Sequence, residues 1–249
     1  METKEPIISL RDFNLNEYNV MNNILVHKEM NVNDKIYKYI DINYLIDMLK
    51  SQALYVANRK SFSDRREHGH KENIKNFFMI QPAKISKDQI SYYEELSRKI
   101  KEAYNICVSC WTYGHHNKCN ENILNWKCYG RNAVRIETTI NCLISSIDSK
   151  GMTVIIKKVN YDDEKVTGTV DAAIFTKYLA YEDETELRLC VLSTEHHEVL
   201  KINNETLIKK IILSPLLSRQ YNVILKNGLE NSFEFLRGKI EFSHLIEHN

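Results

Sequence analysis

Glycine and proline are scarce, at 7 and 3 of 249 residues. Neither a G-x-G-x-x-G stretch nor a Walker A pattern occurs. A phosphate loop of the glycine-rich kind is therefore not expected, and kinase, P-loop and doubly wound dinucleotide readings lose their usual support. No charge sign dominates either: 34 Lys and Arg stand against 33 Asp and Glu, a net charge of +1. That balance argues against general nucleic-acid binding, which calls for a basic excess, and leaves a local basic patch open. Long apolar runs are missing. Leu207–Leu213 is interrupted by Lys209 and Lys210, far short of the roughly 20 residues that span a bilayer. The first residues, Met1–Pro6, are charged and lead into no hydrophobic stretch, so no secretory signal and no membrane association are expected. Six cysteines without framework-like spacing fit a reducing cytoplasm.

What is present excludes disorder: 43% of residues are hydrophobic and 10% aromatic, enough to build a core. The length suits a single α+β domain over residues 1–249. Residues 1–35 are Asn-rich and read as irregular, with one short helix. Strands are expected at Ile36–Tyr39, Ala53–Ala57, Asn105–Thr112, Ala133–Thr138, Met152–Tyr161, Thr185–Ser193 and Ile208–Leu213. Asp41 is placed to cap a helix whose Ile42, Leu45, Ile46 and Leu49 fall on one face. Further helices are expected at Lys71–Ile80, Lys87–Tyr104, Asn120–Tyr129, Thr139–Ile147, Asp171–Leu179 and Ser218–Asn227. The mixture lacks a βαβ rhythm. It predicts an α+β fold with a twisted, mostly antiparallel sheet flanked by helices, and residues 69–104 as a helical insertion.

Four segments have chemistry in them. Tyr37-Lys38-Tyr39 fits a Lys that grips phosphate between rings that stack on a base, and equally an ordinary strand with one solvent-facing Lys. Leu54-Tyr55 runs into a loop holding Arg59, Lys60, Phe62, Asp64, Arg65 and Arg66. Its guanidinium forks suit a polyanion, or simply surface ion pairs, while Phe62 reads as an anchor. Trp126 and Tyr129 sit three apart on a helix face, fitting core or the floor of a pocket for a planar ring. Glu184, Glu186 and Arg188 alternate, so a strand would point all three to one face. Two carboxylates there suit a cationic transition state such as an oxocarbenium ion; an exposed face with a Glu–Arg pair is the plainer alternative. Cys107, Cys110, His115, His116, Cys119 and Cys128 match no common zinc spacing. The odd separation of Cys107 and Cys110 sends them to opposite faces of one strand, so buried thiols are expected and no metal.

In their order and spacing, Tyr37-Lys38-Tyr39, Leu54-Tyr55, Phe62-Ser63-Asp64-Arg65-Arg66-Glu67, Val108-Ser109, Trp126-Lys127-Cys128-Tyr129 and Tyr181-Glu182-Asp183-Glu184-Thr185-Glu186-Leu187-Arg188 resemble the bacterial family called domain of unknown function 2971. The match runs over residues 36–215. The chain departs from the family pattern at Arg65, Arg66 and Tyr181, and at the short stretch Gly130–Ala133. The layout is also similar to the ADP-ribosyltransferase fold, with its split sheet. That similarity implies NAD as substrate and transfer of ADP-ribose to a macromolecular acceptor, or plain NAD cleavage, in a bacterial toxin or phage-defence effector. It implies Glu186 at the nicotinamide ribose, Glu184 assisting, and Arg188 beside them. Lys38, flanked by Tyr37 and Tyr39, would hold ribose or phosphate. Tyr55 and Phe62 would border the nicotinamide pocket, with Arg65, Arg66, Trp126 and Tyr129 on the substrate side. The alternative is a non-catalytic module that senses a nucleotide or holds a partner protein.

Overall fold

Asp41 stops one strand and starts one helix. Its side chain accepts a hydrogen bond of 2.8 Å from the Asn43 amide, and the helix it caps, Ile42–Ser51, ends at Gln52 in the left-handed region. The buried stripe is Ile42, Leu45, Met48 and Leu49. The computed structural model describes residues 8–62, 87–103, 105–114, 121–162, 169–192 and 198–245.

In chain order the strands are β1 (Tyr18–Met21), β2 (Ile24–His27), β3 (Lys35–Asp41), β4 (Ala53–Asn58), β5 (Cys107–Tyr113), β6 (Ala133–Thr139), β7 (Ile147–Asp148), β8 (Thr153–Lys158), β9 (Asn160–Tyr161), β10 (Thr176–Lys177), β11 (Glu186–Leu192), β12 (Glu198–Ile202), β13 (Lys210–Leu213) and β14 (Ile240–Phe242). The helices are α1 (Ile42–Ser51), α2 (Lys87–Ala103), α3 (Ile123–Tyr129), α4 (Ile140–Ser146), α5 (Val170–Phe175), α6 (Asn204–Leu207) and α7 (Arg219–Ser232). Strand pairing is mixed and mostly antiparallel, with helices alongside: an α+β protein, as the sequence predicts. No helix among the described residues is long and apolar enough to cross a membrane.

The chain forms two compact units. The first comprises residues 1–29, 56–109 and 150–198. Here β1 and β2 make an antiparallel hairpin, β2 runs parallel to β8, and β8 pairs antiparallel with β11. The two central strands carry much of the core: Val154, Ile155 and Ile156 on β8, and Leu187, Leu189, Cys190 and Val191 on β11, are all at 0% exposure. A strand covered on both faces carries few exposed positions, which is why simple alternation fails there. A separate parallel pair, β9 with β10, matches Tyr161 to Lys177.

The second unit comprises residues 30–55, 110–149 and 199–249. Its spine is the antiparallel pair β3 and β6, in register from Lys35↔Thr139 to Asp41↔Ala133. β13 lies antiparallel on the far side of β6, followed by parallel β14. Tyr39, Trp126, Ala133 and Ile212 form one buried cluster there.

The structure corrects several expectations. Residues 18–27 are a hairpin rather than irregular chain. Asn22 and Asn23, between the strands, both have positive φ, 48° and 63°. That is the signature of the tight hairpin turn whose twist matches the strands. The helix expected over Asp171–Leu179 stops at Phe175, giving way to β10 and a 3-10 helix, Leu179–Glu184. The helix expected from Asn120 starts at Ile123, because the Asn122 side chain caps it through the Leu124 amide at 2.8 Å. The strand β12 was not expected at all. The helix expected at Lys71–Ile80 lies outside the described residues, as does residues 69–86 of the expected insertion; α2 matches the helix expected after them.

Candidate functional site

Glu184, Glu186 and Arg188 come together in the first unit, though not as a single strand face. β11 begins at Glu186, and Glu184 ends the preceding 3-10 helix. Thr185 between them is turned into the left-handed region at φ 43°. A β-branched residue there is strained, and one left-handed residue costs roughly 1–2 kcal/mol. Glu186 and Arg188 do share a face, as alternation dictates. Arg188 grips the Glu186 carboxylate with two prongs, Nε to Oε1 at 2.6 Å and Nη2 to Oε2 at 3.2 Å. Its Nη1 donates to the Ile174 carbonyl at 2.5 Å.

A fourth group, not foreseen from sequence, completes the cluster. Lys177 Nζ bridges both acids, 2.8 Å from Glu184 Oε2 and 3.1 Å from Glu186 Oε2. The ammonium also lies 4.9 Å from the centre of the Tyr181 ring. Tyr161 accepts a hydrogen bond of 2.7 Å from the Glu186 amide, and burial pushes its phenol well above the usual range. No short-range signal links Lys177 or Tyr161 to Glu186. The parallel β9–β10 pair creates the juxtaposition, and two-residue strands leave no pattern to read.

Burial decides how the cluster behaves. The side chains of Lys177, Glu186 and Arg188 are 3%, 4% and 0% exposed, while that of Glu184 is 44% exposed. The plainer expectation, a solvent-facing Glu–Arg pair, does not hold for Glu186. Two cations compensate a buried carboxylate, which avoids the desolvation cost of leaving it alone. Nearby, Arg59 is fully buried, its Nη1 donating to the carbonyls of Ala103 and Ala173 at 3.3 and 2.9 Å. Phe62 follows the short turn that Arg59 opens and is half-buried. Arg65 and Arg66 lie outside the described residues.

The remaining expected residues belong to the second unit. The pleat of β3 buries Tyr37 and Tyr39, at 1% and 3% exposure, and sends Lys38 to the opposite face. Arg135 lies over the Tyr37 ring, its guanidinium carbon 4.6 Å from the centre. Lys38 Nζ donates to the Cys110 carbonyl at 3.2 Å and sits 5.5 Å from the centre of the Trp111 ring. Tyr39 meets Trp126 edge-on at 4.9 Å and stacks on Tyr129 at 5.6 Å. Trp126 is fully buried and donates its indole N–H to Glu121 at 3.1 Å. Of the two readings of the Trp126 pair, its own burial fits core, while Tyr129 keeps an exposed edge. Tyr55 is exposed, one step out of phase with buried Leu54 and Val56 on β4.

Two further features bear on ligands. Cys107 and Cys110 lie on one strand, three residues apart, with Cys107 buried; the neighbours His115, His116 and Cys119 lie outside the described residues. In the first unit a cleft of about 730 Å³ is bordered by Glu17, His27, Lys28, Glu29 and Lys158. Glu17 approaches His27 Nε2 at 3.6 Å and Glu29 approaches Nδ1 at 3.7 Å. The carboxylates face opposite edges of the imidazole, so the trio does not converge on one metal ion. Its lysines and glutamates mix both signs, which selects no ligand class. No protein-family profile, no curated protein and no solved structure matches the chain.

Proposed function

We propose that this protein uses NAD, transferring ADP-ribose to a macromolecular acceptor or hydrolysing the glycosidic bond, with the Glu184–Glu186 pair as its working acids. The observation that carries the reading is the pair itself: two carboxylates joined by Lys177 Nζ at 2.8 and 3.1 Å, beside the Tyr181 ring. In this chemistry the C–N bond between nicotinamide and ribose breaks and its electron pair leaves with nicotinamide. The ribose becomes an oxocarbenium ion, and negative charge held at fixed positions stabilises it. Water or an acceptor nucleophile then bonds to the anomeric carbon and surrenders a proton. Glu186 supplies the fixed charge, since Arg188 and Lys177 hold its orientation. Glu184, the accessible member, suits the proton. The roles of Lys38, Tyr37, Tyr39, Tyr55 and Phe62 at the dinucleotide, and of Arg65, Arg66, Trp126 and Tyr129 at the acceptor, belong to the same proposal through the resemblance alone. So does action as a toxin or phage-defence effector.

Incubation with NAD and cell lysate, followed by mass spectrometry, tests it. Free nicotinamide or a protein carrying ADP-ribose is expected, and Glu186→Gln should lower the rate by roughly 10²–10³-fold with an unchanged circular dichroism spectrum. Undiminished turnover in that variant removes Glu186 from the mechanism.

A second reading has its own support. Glu186 is nearly inaccessible and its charge is met on two sides, as in a scaffold. The protein would then be a binding module that senses a nucleotide or holds a partner. Thermal stabilisation by a nucleotide that is recovered intact favours this alternative.

A further inference from the structure

We propose that the acidic 3-10 helix Leu179–Glu184 is a strap that closes over the Glu186 carboxylate and is latched by Glu184 onto Lys177. The strap stands on geometry; its consequence for turnover rests on the reading of Glu186 given above. None of its six residues is buried. Leu179, Glu182 and Asp183 are exposed, so little apolar burial holds it down. Two polar contacts join it to Lys177: the Glu184 bond at 2.8 Å and the Tyr181 ring 4.9 Å from the same ammonium. Glu184 itself is 44% exposed, yet Lys177 beneath it is 3% exposed. The strap thus touches the ammonium at two points, and the same ammonium bonds Glu186 at 3.1 Å.

The hinge is marked by backbone strain. Thr185, at φ 43° and ψ 52°, is the last turn before β11. Its Oγ1 is buried without a hydrogen-bond partner. Non-glycine residues held in sparsely populated conformations concentrate where a segment switches. Opening would let Thr185 relax to an extended conformation, lift Glu184 from Lys177 and expose Glu186 to a ligand. Closing exchanges the ligand's contacts for the chain's own acid.

The test needs no substrate. Water-soluble carbodiimide with glycine methyl ester couples to accessible carboxylates, and peptide mass spectrometry locates the product. In the native chain Glu182 and Asp183 should couple readily and Glu186 should not. Glu184→Ala should raise the rate at Glu186 at least tenfold, with amide exchange at Val191 unchanged as a control for general unfolding. In the unaltered chain, raising NaCl from 0.1 to 1 M should also speed coupling at Glu186, because salt weakens a latch with one exposed partner. Glu186 equally protected in Glu184→Ala and in high salt would overturn the strap. Coupling at Glu186 in Glu184→Ala, together with an unaltered chain that leaves NAD intact, would uphold the strap while removing the NAD reading.

Discussion

Ser243 donates a hydrogen bond of 2.6 Å to Glu121, 122 residues earlier in the chain. The same carboxylate accepts from the Trp126 indole at 3.1 Å and from the His244 amide at 2.9 Å, and Glu121 is 3% exposed. Three donors thus converge on one buried acid. Glu121→Leu would strand them all. Since an unsatisfied buried group costs about 1–3 kcal/mol, the substitution should cost about 3 kcal/mol in urea unfolding, against about 1 kcal/mol for Ser243→Ala. An unchanged midpoint for Glu121→Leu would refute this account of the carboxylate.

Arg188→Met should destabilise by about 3–5 kcal/mol, the range for removing one partner of a buried pair. The loss falls on Glu186, which would keep only Lys177 of its two cations. Adding Glu186→Leu to the same chain should recover part of it. A double variant as unstable as the sum of the singles would mean that Arg188 matters for its bond to the Ile174 carbonyl instead.

Thr185→Gly should stabilise the chain by about 1 kcal/mol, because glycine adopts the left-handed region without a Cβ clash. Thermal unfolding reads the gain. A lower Tm would show that the Thr185 side chain contributes more than its backbone strain costs.

Alkaline pH should weaken the fold. Burial pushes the Cys190 thiol up from 9.0 to about 12 and, with Glu137 nearby, the Tyr37 phenol up from 10.0 to about 12. Raised values mean that the folded chain holds these protons more tightly than the unfolded one. Stability is therefore full below about pH 9 and falls as pH rises towards about 12. Urea midpoints between pH 8 and 11 should decline, with Cys190→Ser and Tyr37→Phe each flattening the decline. Thiol reagents at pH 8 should reach exposed Cys128 and leave Cys107 and Cys190 untouched until unfolding.

Much of the local structure was legible where one short-range rule governs. The Asp41 cap and the apolar stripe of α1 are written within a dozen residues, and so is the helix boundary at Thr139, whose hydroxyl accepts from the Cys142 amide. The hairpin at residues 18–27 was equally legible: Asn22-Asn23 between Val20 and Leu25 is a turn signal that the surrounding asparagines hid. The cluster at Glu186 was half legible. Alternation correctly paired Glu186 with Arg188, but applying it to Glu184 carried the strand past its expected start at Thr185. Thr185, a good strand former by composition, adopts the one conformation that breaks the strand there. Lys177 and Tyr161 reach the acid through a pairing between two-residue strands, which no periodicity announces. The placement of Tyr37 and Tyr39 opposite Lys38 follows from the strand period alone and was available from the start.

Arg59 has one further consequence. A single guanidinium nitrogen is tied both to the last residue of α2 and to Ala173 within α5, 114 positions away. Two helices that share no sequence neighbourhood and pack on each other are thus also joined by one guanidinium. Lysine there would preserve the charge but not the planar fork, and slackening at either helix would be felt at the other.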